Sequence, residues 1–411
     1  MIIAMDKLCI MFSSVLDIIE EEQIGASERH SMRVAALCAN MGKKLGFDGD
    51  AISGIATCAM FHDNALTEYH LSLKDDADTV RNLQLHCEKG QSNVSWLPFR
   101  KSIDGFIKYH HECTAGTGPY KKREGEYPFE AALIAAADAA DVANRMQTIT
   151  PDKIPALRDK ISERAERYST RSAIEVLLDI LDEDVIESLR DENIDKTLEE
   201  SLPRWEVDIN DPDIIRAAGF VSRVIDYKSH FTRKHTSQIA CRAWIMAEHY
   251  GYSTDEKAAL FLAASLHDIG KIATPISILE KPGKLDAEEF DIIKKHVWYS
   301  RKFLSRVPNL EPIISWAADH HEKLDGSGYP FGKTADALDF NARLMACIDI
   351  YQAVCEPRPY HDARSHEDTM LILNDMASKG FIDGGIVKDV DAVMAGYSMQ
   401  DVPSPIDAME S

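Results

Sequence analysis

Ten of the 15 histidines in this chain fall into two sets of five that share most of their spacing. The first and second histidines of each set are 32 residues apart, and the third and fourth are 24 apart; only the middle interval differs, 24 against 29. In each set an aspartate follows the second histidine directly, and another follows the last histidine by 27 or 28 residues. The first set is His30, His62, Asp63, His86, His110, His111 and Asp138; the second is His235, His267, Asp268, His296, His320, His321 and Asp349. Repetition at about 205 residues indicates a duplicated domain.

The remainder of the chain is typical of an all-α protein. Apolar residues recur at helical spacing over 31–45 and 237–250, and the two stretches end at Gly46 and Gly251. Residues 130–145 are alanine-rich, and 152–200 are charge-dense with apolar positions three and four apart. We therefore expect two tandem helical bundles related by internal duplication. Residues 1–200 would form the first domain and a helical connector, and residues 201–411 the second domain, against which the first packs.

Composition limits the classes of partner. The chain has 68 acidic and 46 basic residues and a net charge of −22, which argues against binding to duplex DNA or to anionic membranes. The chain has no run of 18 apolar residues, so no transmembrane helix is predicted. The eight cysteines occur singly, mostly among apolar residues, so we expect reduced thiols and a cytoplasmic protein.

Each repeated set offers five imidazoles and two carboxylates. Nitrogen and carboxylate ligands suit Fe, Mn, Ni or Zn, and the lack of cysteine ligands argues against a structural zinc site. Seven ligands are too many for one ion with an open position, but they suit two ions that share a bridging carboxylate and a bridging water. Two such ions lower the pKa of the water and hold a phosphate between them, so hydrolysis of a phosphoester is the expected chemistry.

Two motifs in the second half of the chain resemble the signatures of the HD-GYP family, a branch of the HD metal-dependent phosphohydrolases. They are H-D-I-G-K at 267–271 and H-H-E-K-L-D-G-S-G-Y-P at 320–330. Between them, K-P-G-K-L at 281–285 fits the connecting segment of the family, and Asp286 with Glu289 predicts a capping box at the start of the next helix. The resemblance covers about residues 220–395. It implies a helical bundle that hydrolyses cyclic dinucleotides, chiefly cyclic di-GMP, to the linear dinucleotide pGpG and often onward to GMP.

The resemblance also implies a role for each residue of the second set. One metal ion would be held by His235, His267, Asp268 and Asp349, and the other by Asp268, His296, His320 and His321. Asp268 would bridge the two. We expect two divalent ions in the second domain, with Fe or Mn ahead of Ni or Zn. Some members bind a third ion through a glutamate four residues before the first histidine, but Phe231 stands there in this chain.

Further roles concern the substrate. In members of the family that this chain resembles, the lysine at the position of Lys271 contacts the phosphate and the attacking water, so Asp268 and Lys271 are the implied catalytic residues. Arg358, in the R-P-Y run at 358–360, would hold a phosphate, although the basic residue that often follows this run is His361 here. The loop residues Gly328, Tyr329 and Pro330 would shape the substrate side and could meet a signalling partner such as a diguanylate cyclase.

The first set departs further from the family pattern, although all seven ligand positions are present. Leu66 stands where the second copy has Lys271, Gln147 stands where it has Arg358, and the loop ends in Pro119-Tyr120 rather than Tyr-Pro. We expect a degenerate HD-type domain in which a metal centre could form while the phosphate contacts are weakened.

Three readings of function follow. The first is a cyclic dinucleotide phosphodiesterase acting on cyclic di-GMP or, because tandem HD plus HD-GYP chains without a receiver domain resemble enzymes that cleave it, on 3′,3′-cyclic GMP–AMP. The second is a non-catalytic nucleotide-sensing interaction module. The third is a general phosphohydrolase of mononucleotides, against which the loop at 326–330 argues.

Overall fold

The fold is all-α, as the sequence predicts. The computed structural model describes residues 1–66, 76–228, 234–281, 283–356, 363–398 and 402–405. Over these residues it has 18 α-helices and one sheet of two short strands, β1 (Ile2–Ala4) and β2 (Glu206–Asp208). The chain divides into two compact units, which we call the N-terminal unit (Ala4–Glu206) and the C-terminal unit (Met1–Ile3 with Val207–Ser411). The division lies six residues after the boundary expected from the sequence.

The N-terminal unit is built around one buried helix. Helix α2 packs against five others, α1, α3, α5, α7 and α9, and almost all of its residues from His30 to Gly42 are buried. It ends before Gly46, whose φ of 75° is a conformation that glycine adopts without strain. The helices of this unit are α1 (Met5–Ile24), α2 (His30–Lys44), α3 (Gly49–Met60), α4 (Asp76–Val94), α5 (Phe129–Asn144), α6 (Ile154–Tyr168), α7 (Arg171–Ile180), α8 (Glu183–Ser188) and α9 (Ile194–Ser201).

The C-terminal unit repeats this plan. Helix α11 packs against α10, α12 and α16, while α15 packs against α12 and α14. By the positions of their histidines and aspartates, α11, α12, α14 and α16 correspond to α2, α3, α4 and α5. The helices of this unit are α10 (Pro212–Tyr227), α11 (His235–His249), α12 (Thr254–Leu266), α13 (Ile276–Leu279), α14 (Ala287–Leu304), α15 (Ile313–Ala318), α16 (Phe340–Cys355), α17 (His366–Ser378) and α18 (Gly384–Met394).

Local sequence signals fix the starts of the two helices that place His267 and His296. The predicted capping box begins α14: the Asp286 carboxylate accepts the Glu289 N–H at 2.9 Å, and the Glu289 carboxylate accepts the Asp286 N–H at 2.9 Å. A second capping box begins α12 with Ser253 and Glu256. Each cap satisfies backbone donors that would otherwise lack a partner.

The eight cysteines are all buried and none is in a disulfide, as expected for thiols that serve as small core residues. Within the described ranges, every helix is too short or too polar to cross a bilayer.

Candidate metal centres

The predicted ligands of the C-terminal unit converge from five helices. His235 is the first residue of α11, and His267 and Asp268 directly follow α12. His296 lies in α14 and Asp349 in α16, while the doublet of His320 and His321 follows α15 after one intervening residue. Ends of helices therefore supply most of the ligands, which leaves the helices themselves free to pack as a core.

The Asp268 carboxylate lies at the middle of this cluster. Its Oδ2 atom is 3.2 Å from His267 Nε2 and 3.7 Å from His235 Nε2. Its Oδ1 atom is 3.4 Å from His296 Nε2 and 4.0 Å from His320 Nε2. One carboxylate thus faces two pairs of imidazoles through its two oxygens, which is the arrangement required of a carboxylate that bridges two ions.

The second aspartate and the histidine doublet complete the cluster. Asp349 Oδ1 is 3.4 Å from His235 Nε2, and Asp349 Oδ2 is 3.8 Å from His321 Nδ1. The two neighbouring rings of the doublet therefore face different carboxylates: His320 faces Asp268, and His321 faces Asp349. The structure brings together all seven predicted ligands of this set.

Hydrogen bonds fix the tautomer of three rings. The Nδ1 atoms of His267, His296 and His320 each lie 2.7 Å from the carbonyl oxygen three residues earlier, which can only accept a hydrogen bond. The proton of each neutral ring is therefore on Nδ1, and Nε2 carries a lone pair. Burial lowers the pKa of His296 to about 3 and that of His320 to about 4, so both rings are neutral at pH 7.

These lone pairs test whether the cluster fits metal ions. The buried Nε2 atoms of His267, His296 and His320 and the Oδ1 atom of Asp268 make no hydrogen bond. Lone pairs on nitrogen and on a carboxylate repel each other at 3 to 4 Å, and burying them without a partner is costly. Divalent cations between them would accept all of these lone pairs at once, so the donor set fits metal ions.

Sequence reasoning missed a carboxylate behind the first histidine of each set. His235 Nδ1 is 3.0 Å from Glu356 Oε2, and His30 Nδ1 is 2.7 Å from Asp141 Oδ2. A carboxylate on the second nitrogen of a metal-binding imidazole orients the ring and raises its basicity. The available signal was an acidic residue one or two turns after the last aspartate of each set, on or just beyond the same helix.

Lys271 and the loop lie at the open side of the C-terminal cluster. Lys271 Nζ is 2.5 Å from Asp268 Oδ2, and the Tyr329 ring lies 4.8 Å from the His321 ring. The side chains of Lys271 and His321 are 22% and 26% exposed, whereas Asp268 is 2% exposed. A ligand from solvent therefore meets Lys271, His321 and Tyr329. The predicted phosphate residue Arg358 lies outside the described residues, as do Phe231 and His361.

A buried glutamate holds the loop in each unit. Glu322 accepts the backbone N–H groups of Phe331 at 2.7 Å and Lys333 at 2.8 Å, and Glu112 accepts those of Tyr120 at 2.7 Å and Lys122 at 2.5 Å. The loop beside Glu322 is so close that a Cβ atom on Gly328 would lie 2.3 Å from the Lys323 nitrogen. The glutamate after each histidine doublet is therefore a structural support for the loop.

We expect Glu322→Gln to speed hydrogen exchange at the Phe331 and Lys333 amides by about tenfold or more, because a carboxamide accepts through only one of its two atoms and each lost bond costs about 1–3 kcal/mol. Exchange measured by mass spectrometry checks this. Glu112→Gln is the matched control, since it should affect the Tyr120 and Lys122 amides and leave the other loop unchanged. Unchanged exchange at both amides in Glu322→Gln would contradict the assignment.

The N-terminal unit assembles its own cluster from the first set. Asp63 Oδ1 is 3.0 Å from His86 Nε2 and 3.8 Å from His110 Nε2, and Asp63 Oδ2 is 3.6 Å from His62 Nε2. His30 Nε2 is 3.2 Å from Asp138 Oδ1. With His111, whose donor atom lies within 4.8 Å of those of Asp63, His86 and His110, all seven predicted residues come together.

The N-terminal cluster also has unsatisfied donor atoms. His62 and His110 donate from Nδ1 to the Ala59 and Ile107 carbonyls at 2.9 and 2.6 Å, so in the neutral form of each ring Nε2 carries the lone pair. Buried ring atoms without a hydrogen bond are His30 Nε2, His62 Nε2, His86 Nδ1 and Nε2, His110 Nε2 and His111 Nε2. In place of Lys271 this unit has the buried, uncharged Leu66. The donor set fits cations, and Leu66 supplies no positive charge at the position of Lys271.

Comparison with known proteins relates the chain to HD-domain proteins and to cyclic dinucleotide phosphodiesterases. A model of the HD domain family matches residues 219–386. The 3′3′-cGAMP-specific phosphodiesterase 1 of Vibrio cholerae is 27% identical over 379 residues, which cover 89% of this chain and 87% of that protein. The cyclic di-GMP phosphodiesterase response regulator RpfG of Xanthomonas campestris is 36% identical over 155 residues, 37% of this chain and 41% of that protein.

A solved structure shows the same fold. The crystal structure of the cyclic GMP-AMP-specific phosphodiesterase V-cGAP3 of V. cholerae aligns with a TM-score of 0.66 over 98% of this chain and 100% of that chain, at 19% identity. Residues 219–386 match the HD domain family, and the motifs at 267–271 and 320–330 within them resemble those of its HD-GYP branch.

Proposed function

We propose that this chain is a metal-dependent phosphodiesterase that hydrolyses cyclic dinucleotides at the centre of the C-terminal unit. The observation that carries the proposal is the ring of buried imidazole lone pairs around the two oxygens of Asp268. Seven donors would hold two ions: His235, His267, Asp268 and Asp349 on one side, and Asp268, His296, His320 and His321 on the other. Fe or Mn is the proposed metal, because nitrogen and carboxylate donors suit both.

The residues at the open side have separate tasks in this proposal. Two bound cations would supply an activated water and neutralise the charge of a phosphate. Lys271 adds a positive charge next to Asp268, where it would contact the phosphate that enters from solvent. Tyr329, packed on the His321 ring, would border the substrate, and Arg358 would hold a phosphate of the dinucleotide. Turnover is assigned to the C-terminal unit because the N-terminal unit has Leu66 in place of Lys271.

For the substrate we propose 3′,3′-cyclic GMP–AMP ahead of cyclic di-GMP. A relative that aligns through both units, over 89% of this chain, is named as specific for the mixed dinucleotide. Relatives named for cyclic di-GMP align over smaller parts, 37% of the chain for the X. campestris protein and 45% for one from Thermotoga maritima. If the substrate preference depends on both units, a relative that aligns with both units is the better guide to the substrate of this chain.

The test uses the full chain, purified without oxygen, loaded with Mn²⁺ or Fe²⁺ and assayed for metal content. The protein is incubated with each cyclic dinucleotide separately, and the products are followed by chromatography. We expect a linear dinucleotide from both substrates and a kcat/KM for cyclic GMP–AMP at least about tenfold higher, a difference of about 1.4 kcal/mol in transition-state binding.

Two outcomes would contradict these proposals. A preference for cyclic di-GMP would reverse the substrate assignment and leave the reaction class intact. Unchanged dinucleotides after long incubation with metal-loaded protein would reject the enzymatic proposal, and binding of either dinucleotide under those conditions would support a nucleotide-sensing module.

A further inference from the structure

A chain of buried side chains extends behind His235, the first histidine of the C-terminal cluster. The Glu356 oxygen that lies 3.0 Å from His235 Nδ1 also accepts a hydrogen bond from the Gln352 amide nitrogen at 3.2 Å. The amide oxygen of Gln352 in turn accepts one from Arg242 Nε at 2.8 Å. Arg242 and Gln352 are both buried. An arginine in the core is thus connected to a proposed metal ligand through two intervening side chains.

The amide of Gln352 is the group that this position requires. A guanidinium nitrogen can only donate a hydrogen bond and an ionised carboxylate can only accept one, so the side chain between Arg242 and Glu356 must accept at one end and donate at the other. Glutamine does both, whereas a glutamate at position 352 would have no N–H group for Glu356. The orientation of the amide is therefore fixed by its two neighbours.

Glu356 needs such support because of where it lies. Helix α16 ends at Cys355, and Glu356 follows it with an extended backbone, at a ψ of 151°. Its side chain is long and 12% exposed, so holding it at His235 costs conformational entropy. Gln352 lies one turn earlier, inside α16, where it is 3% exposed. A hydrogen bond from this fixed residue limits the positions that the Glu356 carboxylate can take.

The N-terminal unit supports its first histidine from the position that corresponds to Gln352. Asp141 and Gln352 each lie three residues after the last aspartate of their set. The Asp141 carboxylate binds His30 Nδ1 itself, at 2.7 Å, and accepts two hydrogen bonds from the buried Arg33 at 2.8 and 3.0 Å. The C-terminal unit has its carboxylate one turn further along, at Glu356, and an amide at the corresponding position. Both units thus place a buried arginine behind the carboxylate that meets the first histidine.

We propose that Gln352 is a positioning residue for the ion site that includes His235 and Asp349. It holds Glu356 against His235, and a carboxylate on the second nitrogen of a metal-binding imidazole fixes the ring and raises its basicity. The affinity of this site for its ion therefore depends on Gln352, which acts through Glu356. The inference rests on the metal centre of the proposed function and not on the reaction, so its readout is metal binding.

The test measures Mn²⁺ binding to the full chain with the N-terminal cluster disabled by His62→Ala and Asp63→Ala, so that the measurement reports on the C-terminal unit. Calorimetry gives the affinities, and mass spectrometry after desalting gives the Mn²⁺ content per chain. In this parent we expect Gln352→Leu to weaken one Mn²⁺ site by at least about tenfold, and Glu356→Gln to weaken the same site by about 10- to 100-fold. Unchanged affinity in folded Gln352→Leu would overturn the proposal. A parent that binds no Mn²⁺ would instead reject the metal centre on which the proposal rests.

The double variant shows whether Gln352 acts through Glu356. If it does, Gln352→Leu combined with Glu356→Gln binds Mn²⁺ within about threefold of Glu356→Gln alone, because the carboxylate that Gln352 positions has already been removed. A purely structural role of Gln352 predicts that the two losses multiply. Multiplied losses would therefore overturn the assignment of Gln352 as a positioning residue.

Gln238→Leu is the matched control, since Gln238 is another buried glutamine of the same unit, in α11, where it accepts the Val402 N–H at 3.0 Å. We expect its Mn²⁺ affinity to stay within about threefold of the parent. A loss equal to that of Gln352→Leu would show a general effect of removing a buried amide, and would overturn the proposal. If Gln352→Leu does not fold, Gln352→Glu, which keeps an acceptor for Arg242 but has no N–H group, is expected to weaken the same site.

Discussion

Asp268→Asn is expected to lower kcat/KM for cyclic dinucleotides by about 10³-fold or more, since it removes the charge that both ion sites share. The side chain keeps its size and one oxygen, so packing is preserved. In the variant, an amide nitrogen would replace one of the two carboxylate oxygens that face His267 and His296. An amide nitrogen cannot bind a cation. Steady-state kinetics on metal-loaded protein measure the loss, and metal content per chain shows whether it follows from weaker binding of the ions.

The duplication supplies the control for this variant. Asp63 occupies the equivalent place in the N-terminal cluster, 3.0 Å from His86 Nε2, and its side chain is 10% exposed against 2% for Asp268. Asp63→Asn should leave kcat/KM within about threefold of the parent, while it lowers the number of ions that the N-terminal unit retains. A loss of turnover in Asp63→Asn equal to that in Asp268→Asn would move the chemistry to both units and contradict its assignment to the C-terminal centre.

Gly270→Ala is expected to lower the free energy of unfolding of the C-terminal unit by at least about 3 kcal/mol, through overpacking. A Cβ atom on Gly270 would lie 1.9 Å from the His296 carbonyl oxygen and 2.6 Å from the Ser300 nitrogen, and both are backbone atoms of α14 that cannot turn aside. Gly270 also donates its N–H to the Ser300 hydroxyl at 3.0 Å, and that hydroxyl donates to the His267 carbonyl at 2.8 Å. The variant would therefore separate two of the proposed metal ligands, His267 and His296, as well as destabilise the fold.

Urea unfolding of the metal-free protein measures the effect. Gly384→Ala is the control in the same unit: its nearest neighbour would be the Ala377 Cβ at 3.7 Å, an ordinary contact, so we expect a change within about 0.5 kcal/mol. Equal stabilities for Gly270→Ala and the parent would show that α14 can move away from the 269–273 segment, and would contradict the close approach.

The N-terminal unit has the same close approach between the segment after its second histidine and the helix of its third histidine, but the glycine is on the helix. Ala65 stands at the position of Gly270, and Gly90 stands at that of Ser300. A Cβ on Gly90 would lie 3.3 Å from the Asn64 amide nitrogen and 3.6 Å from the His62 carbonyl oxygen. One small residue is retained at the contact in each copy, on opposite sides of it, because only one side must be without a side chain for the helix to approach.

Local sequence was sufficient for several features. The all-α class followed from apolar spacing, and the ends of α2 and α11 lie within one or two residues of those expected because Gly46 and Gly251 stop the helices. The capping box of Asp286 and Glu289 was readable because it depends on residues three apart. The candidate ligands could be recognised in the sequence because the duplicated domain carries the same side chains twice, at nearly the same intervals.

The tertiary structure decided how those side chains are used. Which imidazoles face Oδ1 of Asp268 and which face Oδ2 depends on the packing of four segments, and no spacing along the chain contains that information. The carboxylate behind His235 comes from Glu356, 121 residues away, and the one behind His30 comes from Asp141, 111 residues away. Periodicity tells which residues share a face of a helix, but which helix that face meets is set by the burial of the whole core. The ligand residues are therefore a property of the sequence, whereas their partners, tautomers and charge balance arise only when distant helices pack together.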